Sequence, residues 1–347
     1  MVVLWTMVIL SLLAIGLGHR TSIELSLTKY SLGKMKANYA GWAGLMYAAE
    51  QLRRDSLDSE TNLYDTLYLC GLTLEEGSTP EDIFKDIKVG EGHFDILRPV
   101  QNNMPNENVY GFEDEEAKIN LNAINISNYG ILSQLITVLG FDDNVSQTIA
   151  SSVMDWHDVD QVVNNEPFGA EDSDYLSFPK PYHCKNAAFE NLEELLLIKG
   201  AAPEIFNSIR DYLTVFPMEP GDVLVNVNTA SEPVLQALAR SASGPFTGTE
   251  IQDADNMAVK ILLYRRGEDG EDFTADDRRI SLIANPTEFD LNIQEANIFN
   301  NLRGRLRESS NIFRIYIRGV DDVSLAQSSF EAVINREDLS VLFWERK

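Results

Sequence analysis

Apolar positions along this chain are unbroken at its start, fall into spacings of three and four through its middle, and alternate only at its end. Residues 1–18 hold no charge, and Thr6, Ser11 and the Trp5 indole are their only polar side-chain groups. As a helix this stretch is about 27 Å long, enough to cross the hydrocarbon core of a bilayer. The pattern continues past Arg20 with polar residues interleaved: Ile23, Leu25, Leu27, Tyr30 and Leu32, then Ala40, Ala43 and Gly44 on one face. It predicts one helix from Met1 to about Arg54, apolar all round at first and amphipathic later.

Residues 57–118 combine a short apolar run at 63–74 with strand signals at 93–97 and 108–112. Helical periodicity follows at 129–139, 145–156, 191–196 and 203–213, and again at 232–239, 255–264 and 293–306. After Ser310 the period drops to two over 313–318, 329–336 and 339–344, which predicts three closing antiparallel strands. Each helical set is entered in the same way. Ile119-Asn-Leu-Asn and Val225-Asn-Val-Asn alternate two asparagines with two apolar residues, 106 positions apart, ahead of an amphipathic helix. Ser231 is placed to cap the second, with Pro233 in its first turn. The expected fold class is α+β: a long N-terminal helix packed on an antiparallel sheet, with a large inserted all-α region of two tandem helical modules. The expected division is 1–56, 57–118, 119–220, 221–307 and 308–347.

Charge sharpens this picture. The chain has 28 Lys+Arg against 54 Asp+Glu, a formal charge of −26. Six basic residues outnumber three acids between 19 and 56, so everything from Leu57 onward carries −29. Such a body repels phosphate, which argues against a large nucleic-acid footprint. Hydrophobic residues make up 44% of the chain, enough for a core and against whole-chain disorder. Cys70 and Cys184 are too few for a disulfide framework or a cysteine zinc site. They either pair in an oxidising compartment or stay as buried thiols. The basic cluster just past the span, taken alone, keeps the body in the cytoplasm. A basic leader upstream of Met1 reverses that orientation.

No G-x-S-x-G, H-E-x-x-H or Walker loop is present, so an enzyme is not expected. The acids instead suit a hard cation, which takes six to eight oxygens from carboxylates and carbonyls. The first candidate set is Asp155, Asp158 and Asp160 at the end of an apolar helix, with Glu171 and Asp172 returning after a polar loop. The weaker set is Asp269, Glu271, Asp272 and Asp276 around Gly270. Both have the alternative of a solvated acidic loop whose Asp residues cap helices. Trp156 reads as core, and Glu113–Glu116 as a solvated turn.

Val3-Leu4-Trp5 heads the apolar helix, and Ala43-Gly44, Ala48 and Glu50 lie at its polar end. Glu113-Asp-Glu-Glu-Ala-Lys-Ile-Asn-Leu-Asn122 and Asp155-Trp-His-Asp-Val-Asp160 follow. Gly169-Ala-Glu-Asp172 with Tyr175, Leu192-Glu-Glu-Leu-Leu-Leu-Ile-Lys-Gly200 and Val225-Asn-Val-Asn-Thr-Ala230 complete the order. In that order the chain resembles the general secretion pathway protein K family, the large minor pseudopilins of type II secretion systems. The resemblance implies a pilin-like helix-and-sheet domain with two inserted SAM-like modules, in a non-enzymatic subunit of the inner membrane with its body in the periplasm. It implies a place at the pseudopilus tip beside I- and J-type minor pseudopilins, contacts with other pseudopilins through the N-terminal helix, and bound calcium (Ca2+). It also implies cleavage after a glycine that ends a basic leader, so either that leader lies upstream of Met1 or processing differs. Trp5 stands where major pseudopilins carry a glutamate that K-type members generally lack.

Two other classes stay open at this level. One is a membrane-anchored helix-hairpin-helix nucleic-acid binder, suggested by Asn-Val-Asn-Thr-Ala-Ser231 but lacking a Gly-x-Gly hairpin after Leu238. The other is a calcium-dependent envelope hydrolase, which lacks a nucleophile and base.

Overall fold

The computed structural model describes residues 1–57, 79–98, 109–219, 221–244, 248–270 and 276–347. The apolar run at 63–74, Cys70, Asn108, Glu271 and Asp272 lie outside the described residues.

Helix α1 spans Val2–Leu57 as one unbroken element. It is the one helix among the described residues long and apolar enough to span a membrane. Residues 1–32 are exposed on every side, and from Gly33 onward one face is buried. After α2 (Pro80–Phe84) come β1 (Ile87–Val89), β2 (Gly92–Arg98), β3 (Val109–Tyr110) and β4 (Glu113–Asp114). A helical insertion then intervenes. Its first repeat runs through β5 (Ile119–Asn120), α3 (Gly130–Val138), α4 (Asp143–His157), α5 (Asp172–Tyr175), α6 (Pro203–Ile209) and β6 (Leu213–Thr214). Its second runs through β7 (Val225–Asn226), α7 (Glu232–Ala242), α8 (Ile251–Arg265), α9 (Ile293–Leu302) and β8 (Leu306–Arg307). The chain closes with β9 (Ile312–Asp321), β10 (Gln327–Asn335) and β11 (Val341–Arg346).

The main sheet has the order β1-β2-β9-β10-β11, with β3 on β2 and β4 on β9. All its pairings are antiparallel, with Ile317 opposite both Ile96 and Phe330. Alternation along β9 puts Phe313, Ile315 and Ile317 on the face that meets α1. Glycines let helix and sheet approach. A Cβ on Gly41 would stand 2.2 Å from the Phe330 ring, and one on Gly319 would stand 2.2 Å from the Ala37 carbonyl.

The helical block is a structural repeat, and its geometry explains the repeated asparagines. In each half a short parallel ladder, β5 on β6 or β7 on β8, brings the start of the repeat against its end. Asn122 donates to the carbonyls of Phe189 and Val215 and accepts the Phe189 N–H at 2.7 Å. Asn228 repeats this on Ile280 and Glu308, accepting the Ile280 N–H at 2.7 Å. Asn120 and Asn226 accept the N–H of these two clasps. Helices α3 and α7, equivalent in the two halves, pack directly on each other, and one apolar core runs through both repeats. The core under the main sheet is separate.

Three local expectations need correction. The segment 192–197 is a 3-10 helix, not an α-helix. Ser231 holds the N-cap position of α7, but its hydroxyl is buried without capping. Glu115 and Glu116 are buried, not solvated. Their arginine partners come from far along the chain, whereas Lys118 is local. Arg314 and Lys118 pair with Glu115, and Arg307 pairs with Glu116. Burial opposes the charge on Glu115, but Lys118 and Arg314 outweigh it and hold its carboxyl well below the usual range.

Candidate functional site

The insertion leaves the sheet at β4 and re-enters at β9, and these strands pair with Asp114 opposite Phe313. Entry and exit therefore form a neck. Asp114 sits in it as a half-buried acceptor for Asn226 (3.2 Å), Thr229 (2.5 Å), Ser310 (2.6 Å) and the Glu116 N–H (2.8 Å). These donors are neutral, so burial prevails and raises the Asp114 carboxyl above its usual value. No local pattern points to this hub, because its side-chain partners lie 112 to 196 positions away.

The acidic cluster lies at the far end of α4. Asp142 caps the helix start, accepting the Asn144 N–H at 2.9 Å. Ile149, Val153 and Trp156 enter the core, and Trp156 is buried as its pattern predicts. Asp155 is buried in the last turn, and Asp158 forms the C-cap. The following loop folds back over them. Asn164 donates through its backbone and side-chain amide to Asp155 Oδ1 (3.1 and 3.0 Å) and through the side chain to Asp158 (3.0 Å). Ala170 N–H donates to Asp155 Oδ2 at 2.7 Å. Gly169 is squeezed between them. A Cβ there would stand 2.2 Å from Asp155 Oδ2 and 2.3 Å from the Asn164 carbonyl.

This fold-back brings Asp155, Asp158 and Glu171 together, with one oxygen of each within 4.8 Å of the others. Glu171 is 2% exposed, and neither of its carboxylate oxygens accepts a hydrogen bond. The adjacent Cys184 is a free, buried thiol that reaches the Asp155 carbonyl at 3.5 Å. No lysine or arginine among the described residues ion-pairs with any of the three acids. Burial, then repulsion from Asp155 and Asp158, pushes the Glu171 carboxyl up to about 7. Burial pushes Asp155 up to about 6 against the hydrogen bonds from Asn164 and Ala170. Three desolvated acids with an unpartnered carboxylate are a donor set that fits a hard divalent cation.

The other expected ligands go elsewhere. Asp160 accepts the Val162 N–H at 2.7 Å in the loop. Asp172 turns to the Cys184 N–H (2.7 Å) and His183 (2.8 Å). In the weaker set, Asp276 accepts the N–H groups of Glu268 (2.5 Å) and Asp269 (3.3 Å). That loop follows α8 as the first follows α4, so the two acidic loops hold equivalent places in the repeat. In a separate group, Asp86, His93 and Asp95, the members have partners outside it: Asp95 pairs with Arg318 at 2.6 Å, and His93 lies 2.6 Å from Asp322.

Residues 117–218 match the family model described as type II secretion system (T2SS), protein K. The type II secretion system protein K of Pseudomonas aeruginosa is 33% identical over 135 residues, 36% of this chain and 38% of that protein. A putative type II secretion system protein K of Escherichia coli K12 is 30% identical over 141 residues, 40% and 39% of the two chains. These alignments take in less than two-fifths of each relative's length. In fold the likeness is broader. A chain of the crystal structure of the GspK-GspI-GspJ complex from the enterotoxigenic Escherichia coli type 2 secretion system superposes with a TM-score of 0.60 at 16% identity. It covers 94% of this chain and 99% of that one. Nothing in these likenesses supports the nucleic-acid alternative.

Proposed function

We propose that this chain is a member of the type II secretion system protein K family, a structural, non-enzymatic minor pseudopilin. Residues 1–18 anchor it in the inner membrane, and the acidic body stands in the periplasm. There it assembles at the pseudopilus tip with I- and J-type minor pseudopilins and other pseudopilins. The observation that carries this reading is the helix itself. One continuous element joins a fully exposed apolar segment to a face laid on an antiparallel sheet. That arrangement suits a subunit held in a membrane until it enters a bundle of similar helices. Co-expression of the full chain with the I- and J-type subunits of its own system tests the proposal. A stoichiometric complex on co-purification is expected, and its absence would sink the reading.

The cluster at Asp155, Asp158 and Glu171 supports a second property of the same subunit, a calcium site that closes the loop 158–171 onto α4. The buried, unpartnered Glu171 carboxylate favours it. Bound calcium would supply the charge that the site lacks, and Asn164 and Ala170 would keep Asp155 oriented. Calcium added to chelated protein should raise the melting temperature. An Asp155→Asn/Asp158→Asn variant should not respond.

A further inference from the structure

The main sheet ends at β11, and among the described residues no strand pairs with its outer edge. Lys347 N–H donates to the Ser329 carbonyl at 3.0 Å. The alternation of an antiparallel pair therefore turns the N–H and C=O of Trp344 and Arg346 away from β10. A bulge at Val333/Ile334 interrupts the pairing before Phe343, so the regular open stretch runs from Phe343 to Lys347. The stretch is held stiff. The Trp344 ring lies between those of Trp42 and Phe330, with centroids 4.7 and 4.8 Å away.

Beside this edge a groove of about 950 Å³ separates the back of the sheet from the first helical repeat. Phe343 lines it from the sheet and Phe216 from the repeat, with ring centroids 6.4 Å apart. The cations in the groove are already committed. Lys118 pairs with Glu113 at 2.7 Å, Arg314 with Glu115 at 2.7 Å, Lys347 with Glu331 at 2.8 Å and Arg210 with Asp211 at 3.5 Å. Carboxylates are in surplus. Glu190 and Glu193 stand exposed on the wall, and Glu193 ion-pairs with no lysine or arginine among the described residues.

These features together select the occupant. Outward N–H and C=O groups two residues apart are satisfied by a strand, and by neither a helix nor lipid. The surplus carboxylates favour basic side chains, whose apolar stems fit the aromatic walls. A second copy would bring the same carboxylates and another acidic body of −29 against them.

We infer that the outer edge of β11 receives an antiparallel strand from another protein, an extended segment of about five residues with lysine or arginine turned into the groove and apolar side chains beside Trp344. The inference goes beyond the pseudopilin reading and does not rest on it. The test follows the fluorescence anisotropy of a labelled, capped peptide alternating lysine and valine, added to the full chain in detergent. Saturable binding is expected. In the inferred pairing the valines stand opposite Trp344 and Arg346 and donate to them. The same peptide N-methylated on its valines keeps its charge, and should bind about tenfold or more weakly. Arg346→Pro should weaken binding by a similar factor with its melting temperature held, because the Arg346 N–H makes no bond within the sheet. Should that variant fail to fold, the N-methylated peptide on the wild-type chain decides. Absence of saturable binding overturns the inference. So does equal binding of the N-methylated peptide, which marks plain attraction of lysine to an acidic body, or equal binding of a peptide alternating glutamate and valine. A dimer of this chain that the peptide dissociates gives the edge to a second copy and overturns it as well.

Discussion

Asn122 and Asn228 each satisfy two backbone carbonyls and one N–H inside the helical block. Truncation of either to alanine should cost about 3 kcal/mol or more, because three buried backbone groups lose their partners. Urea unfolding of Asn122→Ala and Asn228→Ala measures this, and similar losses at the two sites would match their equivalent roles. The acids near α4 make a prediction with a definite sign. Asp155 and Glu171 keep their protons in the fold, to about 6 and about 7, at pH values where the unfolded chain has released its own. Their contribution to metal-free stability should therefore fall as pH rises from about 4 to about 7. Melting curves in chelator across that range would show the decline, and Glu171→Gln should flatten it. At this scale the sequence displayed the repeated asparagines and the acids but not their partners. Phe189 lies 67 positions from Asn122, and Arg307 lies 191 from Glu116. Pairings that long are set by topology, which no local pattern encodes.

Among elements, periodicity was most informative where one face meets a core. The long helix and the closing strands fall close to their expected spans, because burial on one side imposes a period of 3.6 or 2. It was least informative at 192–197, where a 3-10 helix offers the same apolar residues to the core as an α-helical turn. The contact of helix with sheet depends on missing side chains. Gly319→Ala should destabilise the sheet by about 2 kcal/mol or more, since its Cβ would meet the backbone of Ala37 and Gly41, which cannot rotate away. Gly41→Ala should cost less, because the Phe330 ring can shift. Thermal unfolding of the two variants side by side tests that order.

At the level of the whole molecule, the two repeats share one core, which also takes in Ile312 and Val333 of the sheet, while the sheet's other face and α1 have another. Residues 117–218 alone should therefore fail to melt cooperatively, because α3 would lose its packing against α7. The pair 117–309 should fold. Circular dichroism and thermal melting of the two fragments would distinguish them.

The neck has a mechanical consequence. Asp114 and Phe313 face each other across neighbouring strands, so the insertion is a closed excursion that returns to where it left. A pull along α1 would pass through the glycine contacts into β9 and β10 and reach the helical block only through the back of those strands, at Ile312 and Val333. The block would ride on a load path that it does not bear. It could present its outer surface, and hold its acidic loop closed, while the helix is under tension.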